Sequence, residues 1–223
     1  YTLMGGKDYG GHIGVYNADL GDILNAYDKL ASKENSDIRF LLQGGASKSK
    51  VEEQAKAQKL ISICEARKDC VTFISPDRGS VVNVNAISTQ LQNVLSFFAP
   101  LASSSYAVFD SGYQYFYDRF NKKFNYMPLS NDIAGLCVRT DLNQFPWFSP
   151  AGTARGSLAH AVKLSYNPGQ EDRDQLYSQR INPVVSLPGS GITLFGDKTA
   201  LAFSSAFDRI NVRRLFITIE KAI

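Results

Sequence analysis

Few residues in this chain have chemistry to offer, and each can be tested by its spacing. Phe109-Asp110-Ser111-Gly112 follows an apolar run. It matches the Asp-Ser/Thr-Gly loop with which a paired-aspartate hydrolase places half of its dyad. That chemistry needs two carboxylates sharing a proton, and no second such loop is present, so a second copy of the chain would have to supply the other Asp. Gly44-Gly45 lies between an apolar run and a helical pattern, where a phosphate would meet a helix N-terminus. Neither GxxxxGK[ST] nor GxGxxG accompanies it, which favours a structural turn. The two histidines, His12 and His160, stand in no nucleophile context, and Gly189-Ser190-Gly191 lacks the spacing of a GxSxG elbow. Cys64, Cys70 and Cys137 form no CxxC pair and give no metal-ligand spacing. An odd, scattered set fits buried thiols in a reducing compartment. These residues specify no cofactor, no metal and no complete catalytic site, so the chain reads as a non-enzyme.

A second kind of chemistry is stacking. Tyr113, Tyr115, Phe116, Tyr117, Phe120, Phe124 and Tyr126 are interleaved with Asp118, Arg119, Lys122 and Lys123. Aromatics among basic groups suit single-stranded nucleic acid; more often such a run is an extended hairpin whose alternate rings pack down. With 24 basic against 21 acidic residues, the net charge of +3 is too mild to imply nucleic acid by itself.

The elements that must position these residues alternate. Short apolar runs at Ile38–Leu42, Cys70–Ile74 and Tyr106–Asp110 are separated by helical patterns over Asp19–Leu30, Val51–Arg67 and Val84–Ala99. Strands that are apolar throughout and alternate with helices indicate parallel βαβ units buried on both faces. Further helices are predicted over Asn131–Asp141 and Glu171–Gln179, and a hairpin over Val184–Phe195 around Pro188-Gly189-Ser190-Gly191. The expected fold is α/β: a mainly parallel sheet flanked by helices, with added β-hairpin segments in the second half. The Val184–Phe195 strands are expected to complete the sheet.

A hydrophobic content of 44% and a charged content of 20% are those of a globular core. No run approaches the roughly 18 apolar residues of a membrane span, and no secretory pattern follows Tyr1. The glycine-rich Tyr1–Gly14 reads as a strand end and a mobile loop. The whole of 1–223 reads as a single α/β domain cut from a longer protein.

Two further features concern contacts. Pro146, Trp147, Phe148, Pro150 and Gly152 form a proline-stiffened loop. Trp147, Pro150 and Gly152 are expected to act as a structural brace, anchored by the apolar rings. The C-terminal segment Phe207–Ile223 carries two stripes at helical spacing. Val212, Leu215, Phe216, Ile219 and Ile223 form an apolar one, expected to be buried. Ile210, Arg213, Arg214, Ile217 and Lys221 form the other, expected to be partly exposed and offered to a partner.

Five stretches, in order, carry a resemblance: Ile133–Asp141 (IAGLCVRTD), Trp147–Gly152 (WFSPAG), Leu176–Val184 (LYSQRINPV), Leu194–Thr199 (LFGDKT) and Phe207–Leu215 (FDRINVRRL). They resemble the core of the contractile tail sheath proteins of myovirus-type bacteriophages. The resemblance implies a structural subunit of six-fold rings stacked around a tail tube. Such a sheath contracts, without nucleotide hydrolysis, to drive the tube through the host envelope. It further implies tube, baseplate and tail terminator proteins as partners, residence in the virion tail, and assembly in the host cytoplasm. In such proteins the C-terminal helix lies toward the lumen, which would place Ile210, Arg213, Arg214, Ile217 and Lys221 at a tube or subunit interface. The competing readings are an aspartic-protease-like hydrolase using Asp110-Ser111-Gly112 and a single-stranded nucleic-acid module on residues 113–126.

Overall fold

The computed structural model describes residues 18–34 and 36–222. The glycine-rich opening, His12 and Ile223 lie outside the described residues. In chain order the elements are α1 (Leu20–Asp28), β1 (Phe40–Leu42), α2 (Lys50–Arg67), β2 (Val71–Ile74), α3 (Arg78–Val81), α4 (Ile87–Phe98) and β3 (Ala107–Asp110). Then follow β4 (Tyr113–Asp118), β5 (Lys123–Pro128), α5 (Ser130–Asn143), β6 (Lys163–Leu164), α6 (Gln170–Ser178), β7 (Ile181–Asn182), β8 (Val184–Leu187), β9 (Gly191–Leu194) and α7 (Ile210–Ala222).

The strands β1, β2, β3 and β7 form one parallel sheet in the order β1-β2-β3-β7. Alternate side chains feed two cores. Val71, Phe73 and Val108 join Ile133, Leu136 and Cys137 of α5 and Ile210 and Ile217 of α7. Ile74, Ala107 and Phe109 join Leu91, Val94, Phe97 and Phe98 of α4 and Leu176 of α6. Helix α2 contributes to both. The cysteines are free and buried, with the Cys64 and Cys70 sulfurs 3.5 Å apart. The architecture is α/β with antiparallel hairpins added in the second half.

Two expectations about elements need correction. The fourth strand of the sheet is Ile181–Asn182, not a strand of the Val184–Phe195 region. Pro183 has no N–H to extend the ladder, and beyond it β8 and β9 pair antiparallel with each other. The helical pattern at Val84–Ala99 starts only at Ile87, because Asn83 adopts φ +62° and separates α3 from α4.

A third sheet is built on the aromatic stretch. β4 pairs antiparallel with β5 from Tyr113↔Pro128 to Asp118↔Lys123, and β6 flanks β4. Arg67, at the end of α2, ties the N-terminal region to the body. Its guanidinium is buried and donates to the carbonyls of Leu30, Ser32 and Ser36 at 2.7–2.9 Å and to both carboxylate oxygens of Asp69 at 2.9 Å.

Candidate functional site

Open α/β sheets hold ligands outside the carboxyl ends of their strands. In this protein a polar seam fills that edge. Beyond β1, Gln43 donates to Glu53 Oε2 (2.6 Å) and accepts from Ser75 N (3.2 Å). Ser75 Oγ donates to Asp110 Oδ2 (2.7 Å) and accepts from Ser130 N (3.0 Å) at the start of α5. Asp110 Oδ1 accepts from Gly112 N at 2.9 Å, and Ser111 Oγ accepts from Val184 N at 3.0 Å. At the far edge, Asn182 donates to the carbonyls of Phe109 and Lys198 and accepts from Lys198 N at 2.7 Å. Burial pushes the Asp110 carboxyl up to about 8, so it is protonated at neutral pH. Both its oxygens are engaged within the seam and the group is inaccessible to substrate. The geometry is that of a tie between chain segments.

The glycine turn is likewise occupied from within. Glu53 accepts from Ser47 N, where a bound anion would sit, and Lys56 Nζ donates to Gly45 O (2.8 Å) and Ser47 Oγ (3.0 Å). Among the described residues no group of three or more His, Cys, Asp or Glu could hold a metal ion, and no helix is long and apolar enough to cross a membrane.

On the aromatic hairpin, Tyr115 stacks on Phe124 at 5.2 Å and packs against Tyr126 at 4.8 Å, with Lys163 Nζ 4.8 Å above its ring. The rings are spent largely on one another. Phe120, at the tip, is 98% exposed.

The C-terminal helix reverses the expected faces. Ile210, Arg213, Arg214 and Ile217 are buried, Arg213 to 8% and Arg214 to 4% exposure, and only Lys221 of that stripe is exposed. Arg213 donates to Ser105 Oγ (2.6 Å) and Tyr106 Oη (3.2 Å), and lies 4.0 and 4.2 Å from the ring centroids of Phe207 and Tyr106. Arg214 pairs with Asp141 and donates to the Cys137 carbonyl (3.3 Å). Acceptors and ring faces let both guanidiniums lie inside, although Arg213 Nε and Arg214 Nη1 find no hydrogen-bond partner there. The stripe expected inside is turned outward: Phe216 is 39% and Ile219 42% exposed, with Val212 and Leu215 half-buried beside them.

The expected anchor of the 146–152 loop also fails. Trp147 is 44% exposed and, among the described residues, stacks on Phe145 alone, at 4.5 Å, while Phe148 is exposed under Arg155. What holds the loop is its backbone. Pro150 is buried, Gly152 N donates to Leu194 O at 2.9 Å, Ser149 Oγ donates to Asp197 at 2.9 Å, and Asn211 Nδ2 donates to the Trp147 carbonyl at 3.0 Å. Gly152 takes φ +91°, and a Cβ on neighbouring Gly156 would lie 2.7 Å from the Leu194 oxygen. Trp147→Ala is therefore expected to cost about 1 kcal/mol, lowering the thermal midpoint by about 2–4 °C. Gly156→Ala, which must displace backbone, is expected to cost about 1–3 kcal/mol. Calorimetry ranking Trp147→Ala as the more damaging would return the anchor to the ring.

Comparison with known proteins identifies the family. Residues 17–200 match the family model described as the phage tail sheath protein central domain. The chain is 37% identical over 225 residues to the tail sheath protein of Enterobacteria phage T4, covering 96% of this chain and 33% of the relative. It is 38% identical to that of Vibrio phage KVP40, covering 100% of this chain and 35% of the relative. It thus spans about a third of the length of these curated relatives. The helical sheath of the anti-feeding prophage in its contracted state shares the fold, with a TM-score of 0.65 at 20% identity over 91% of this chain and 50% of that one. The chain belongs to the phage tail sheath protein family and corresponds to its central domain.

Proposed function

We propose that this chain is the core domain of a contractile tail sheath subunit. The full-length protein would form stacked six-fold rings around a tail tube, engaging the tube, the baseplate and a tail terminator. The sheath would be assembled in the host cytoplasm, reside in the virion tail, and do its work by contraction without catalysis or cofactor. Family membership supports the reading, and the one structural observation that carries it is the outward stripe of α7. Phe216 and Ile219, with Val212 and Leu215, present an apolar strip on a helix whose other face is already packed. Such a strip is what a seat on a second protein requires.

The tail tube is the occupant we assign to it. Because Arg213 and Arg214 point inward, the seat is apolar rather than electrostatic. Burying the two exposed side chains on docking contributes about 1–2 kcal/mol each, and a ring repeats that contact often enough for modest values to hold a sheath in place. The test is Phe216→Asp with Ile219→Asp in the full-length protein. We expect folded, soluble subunits that do not form sheath around tubes, and wild-type seating that changes little with salt. Normal tube-bound assembly of the double variant would remove α7 from the tube contact.

A further inference from the structure

Two arginines and two acids that form no ion pair within one copy are placed to form it between copies. We infer that Arg139 and Arg155 of one copy receive Glu171 and Asp174 of the next. This rests on the sheath reading above, since it supplies a contact between copies.

The basic side is a cleft that fixes its guanidiniums from within. Arg139, on α5, donates through Nη2 to the carbonyls of Arg155 and Ser157, the latter at 3.0 Å. Arg155 donates through Nε to the Ser149 carbonyl at 2.7 Å and lies 5.5 Å from the centroid of the Phe148 ring. Among the described residues, Nε and Nη1 of Arg139 and both terminal nitrogens of Arg155 have no partner. Both side chains line a cleft of about 320 Å³, together with Thr140, Asn143, Gln144 and Ser157, and no carboxylate lines it. A guanidinium pinned by carbonyls has already given up rotamer freedom, so less is lost when a carboxylate binds it. Its remaining donors form the fork that carboxylates fit.

The acidic side is the outer face of α6. Glu171 and Asp174 lie five and two positions before buried Leu176, which puts both on the side of the helix opposite it. Neither lines the polar groove of about 380 Å³ between α6 and α4. Both are exposed, and neither forms an ion pair among the described residues. The other charges of the helix are committed. Asp172 accepts from Gly169 N at 3.2 Å, and Arg173 lies 5.6 Å from the centroid of the Phe195 ring. Spaced i and i+3, the two free acids stand about 5–6 Å apart at their Cβ atoms, so two carboxylates meet two guanidiniums.

Within one copy the two sides are kept apart. Helix α5 packs on one face of the parallel sheet and α6 on the other. The contact therefore joins different patches of two copies, head-to-tail, and such contacts generate rings or helices rather than closed pairs. Electrostatic complementarity of this kind sets register and orientation.

The test uses the full-length protein. Glu171→Arg with Asp174→Arg should leave the thermal midpoint unchanged and raise the concentration needed for sheath assembly about tenfold. Adding Arg139→Glu with Arg155→Glu should restore assembly. No defect in the first variant, or no rescue in a folded fourfold variant, overturns the pairing and leaves the sheath reading intact. The arginine exchanges also cut ties to the 149–157 segment, so a second arm keeps all four charges. Sheath carrying Ala154→Cys, in the cleft, with Gln170→Cys, one turn before Asp174, is treated with a short bis-maleimide. Cys64, Cys70 and Cys137 are buried and do not compete. The expected result is a ladder of dimers, trimers and higher species, with none from either single variant. Normal sheath without a ladder, or a ladder from Gln170→Cys alone, overturns the pairing. Failure of the wild-type protein to form sheath would overturn the sheath reading and the contact with it.

Discussion

Exchanging Arg213 and Arg214 for glutamate is expected to yield insoluble or unfolded protein, not folded subunits that merely assemble poorly. Both side chains are interior. Arg213 loses Ser105, Tyr106 and the face of Phe207; Arg214 loses the Cys137 carbonyl and leaves Asp141 facing a second carboxylate. Breaking a buried pair by removing one partner costs about 3–5 kcal/mol. That broken pair at Arg214, the lost hydrogen bonds and ring contacts of Arg213, and two new buried acids together consume most of the about 5–15 kcal/mol that holds a domain together. Soluble yield and near-ultraviolet circular dichroism would report this directly. Arg214→Met offers a sharper control. Its apolar stem fills the same space and half-buried Asp141 can recover water, so folding should survive. A double glutamate variant with the wild-type thermal midpoint would show that the arginines are not held as described.

The second large effect is the pH dependence that Asp110 contributes. Asp110 is raised by burial from an ordinary value of 3.8 to about 8, against the opposing hydrogen bonds from Ser75 and Gly112. Between pH 4 and 8 the folded chain therefore keeps a proton that the unfolded chain has released. Folding takes up that proton, so this group's contribution is fully present below about pH 4 and is lost as pH rises toward 8. The slope reaches about 1.4 kcal/mol per pH unit. Asn at 110 stays neutral at every pH, as the protonated acid does: its oxygen accepts from Gly112 N, and the bond that Ser75 Oγ donates in the wild type is reversed, the amide donating to Ser75 Oγ. The stability of Asp110→Asn relative to wild type should thus rise steadily from pH 5 to pH 8. Urea unfolding at each pH measures it, and parallel curves for the two proteins would show that Asp110 does not titrate across the window.

What the sequence disclosed was what neighbouring residues determine. Continuous apolar runs located β1, β2 and β3, and alternation through Tyr113–Tyr126 located the hairpin. Two-residue β7 has no periodicity to detect, and only its register with Phe109 and Asp110 makes it a strand. The faces of α7 were misread for a physical reason. Hydropathy counts arginine as a solvent-facing residue, but the partners that let Arg213 and Arg214 go inside lie 73–108 residues away. Trp147 was misjudged in the opposite direction, because a large ring between prolines looks like an anchor until its surroundings are known. The groove between α4 and α6 had no local signal at all, since 71 residues and strands of two sheets separate these helices. The family, by contrast, was legible, because runs such as FDRINVRRL persist even where their faces cannot be assigned.

The seam at the strand ends has a mechanical meaning. All four strands of the parallel sheet point at the same edge, and there side chains of Gln43, Ser75, Asp110, Ser111 and Asn182 bind the strands to one another, to α2 and α5, and to the chain entering β8. A force applied to a helix on either face reaches this edge along the strands and is shared among several short, buried bonds, so that none of them yields alone. A block braced in this way turns without deforming. In a contracting sheath, its joints would lie between blocks, and the elastic work of contraction would be stored in the contacts between copies while each sheet kept its shape.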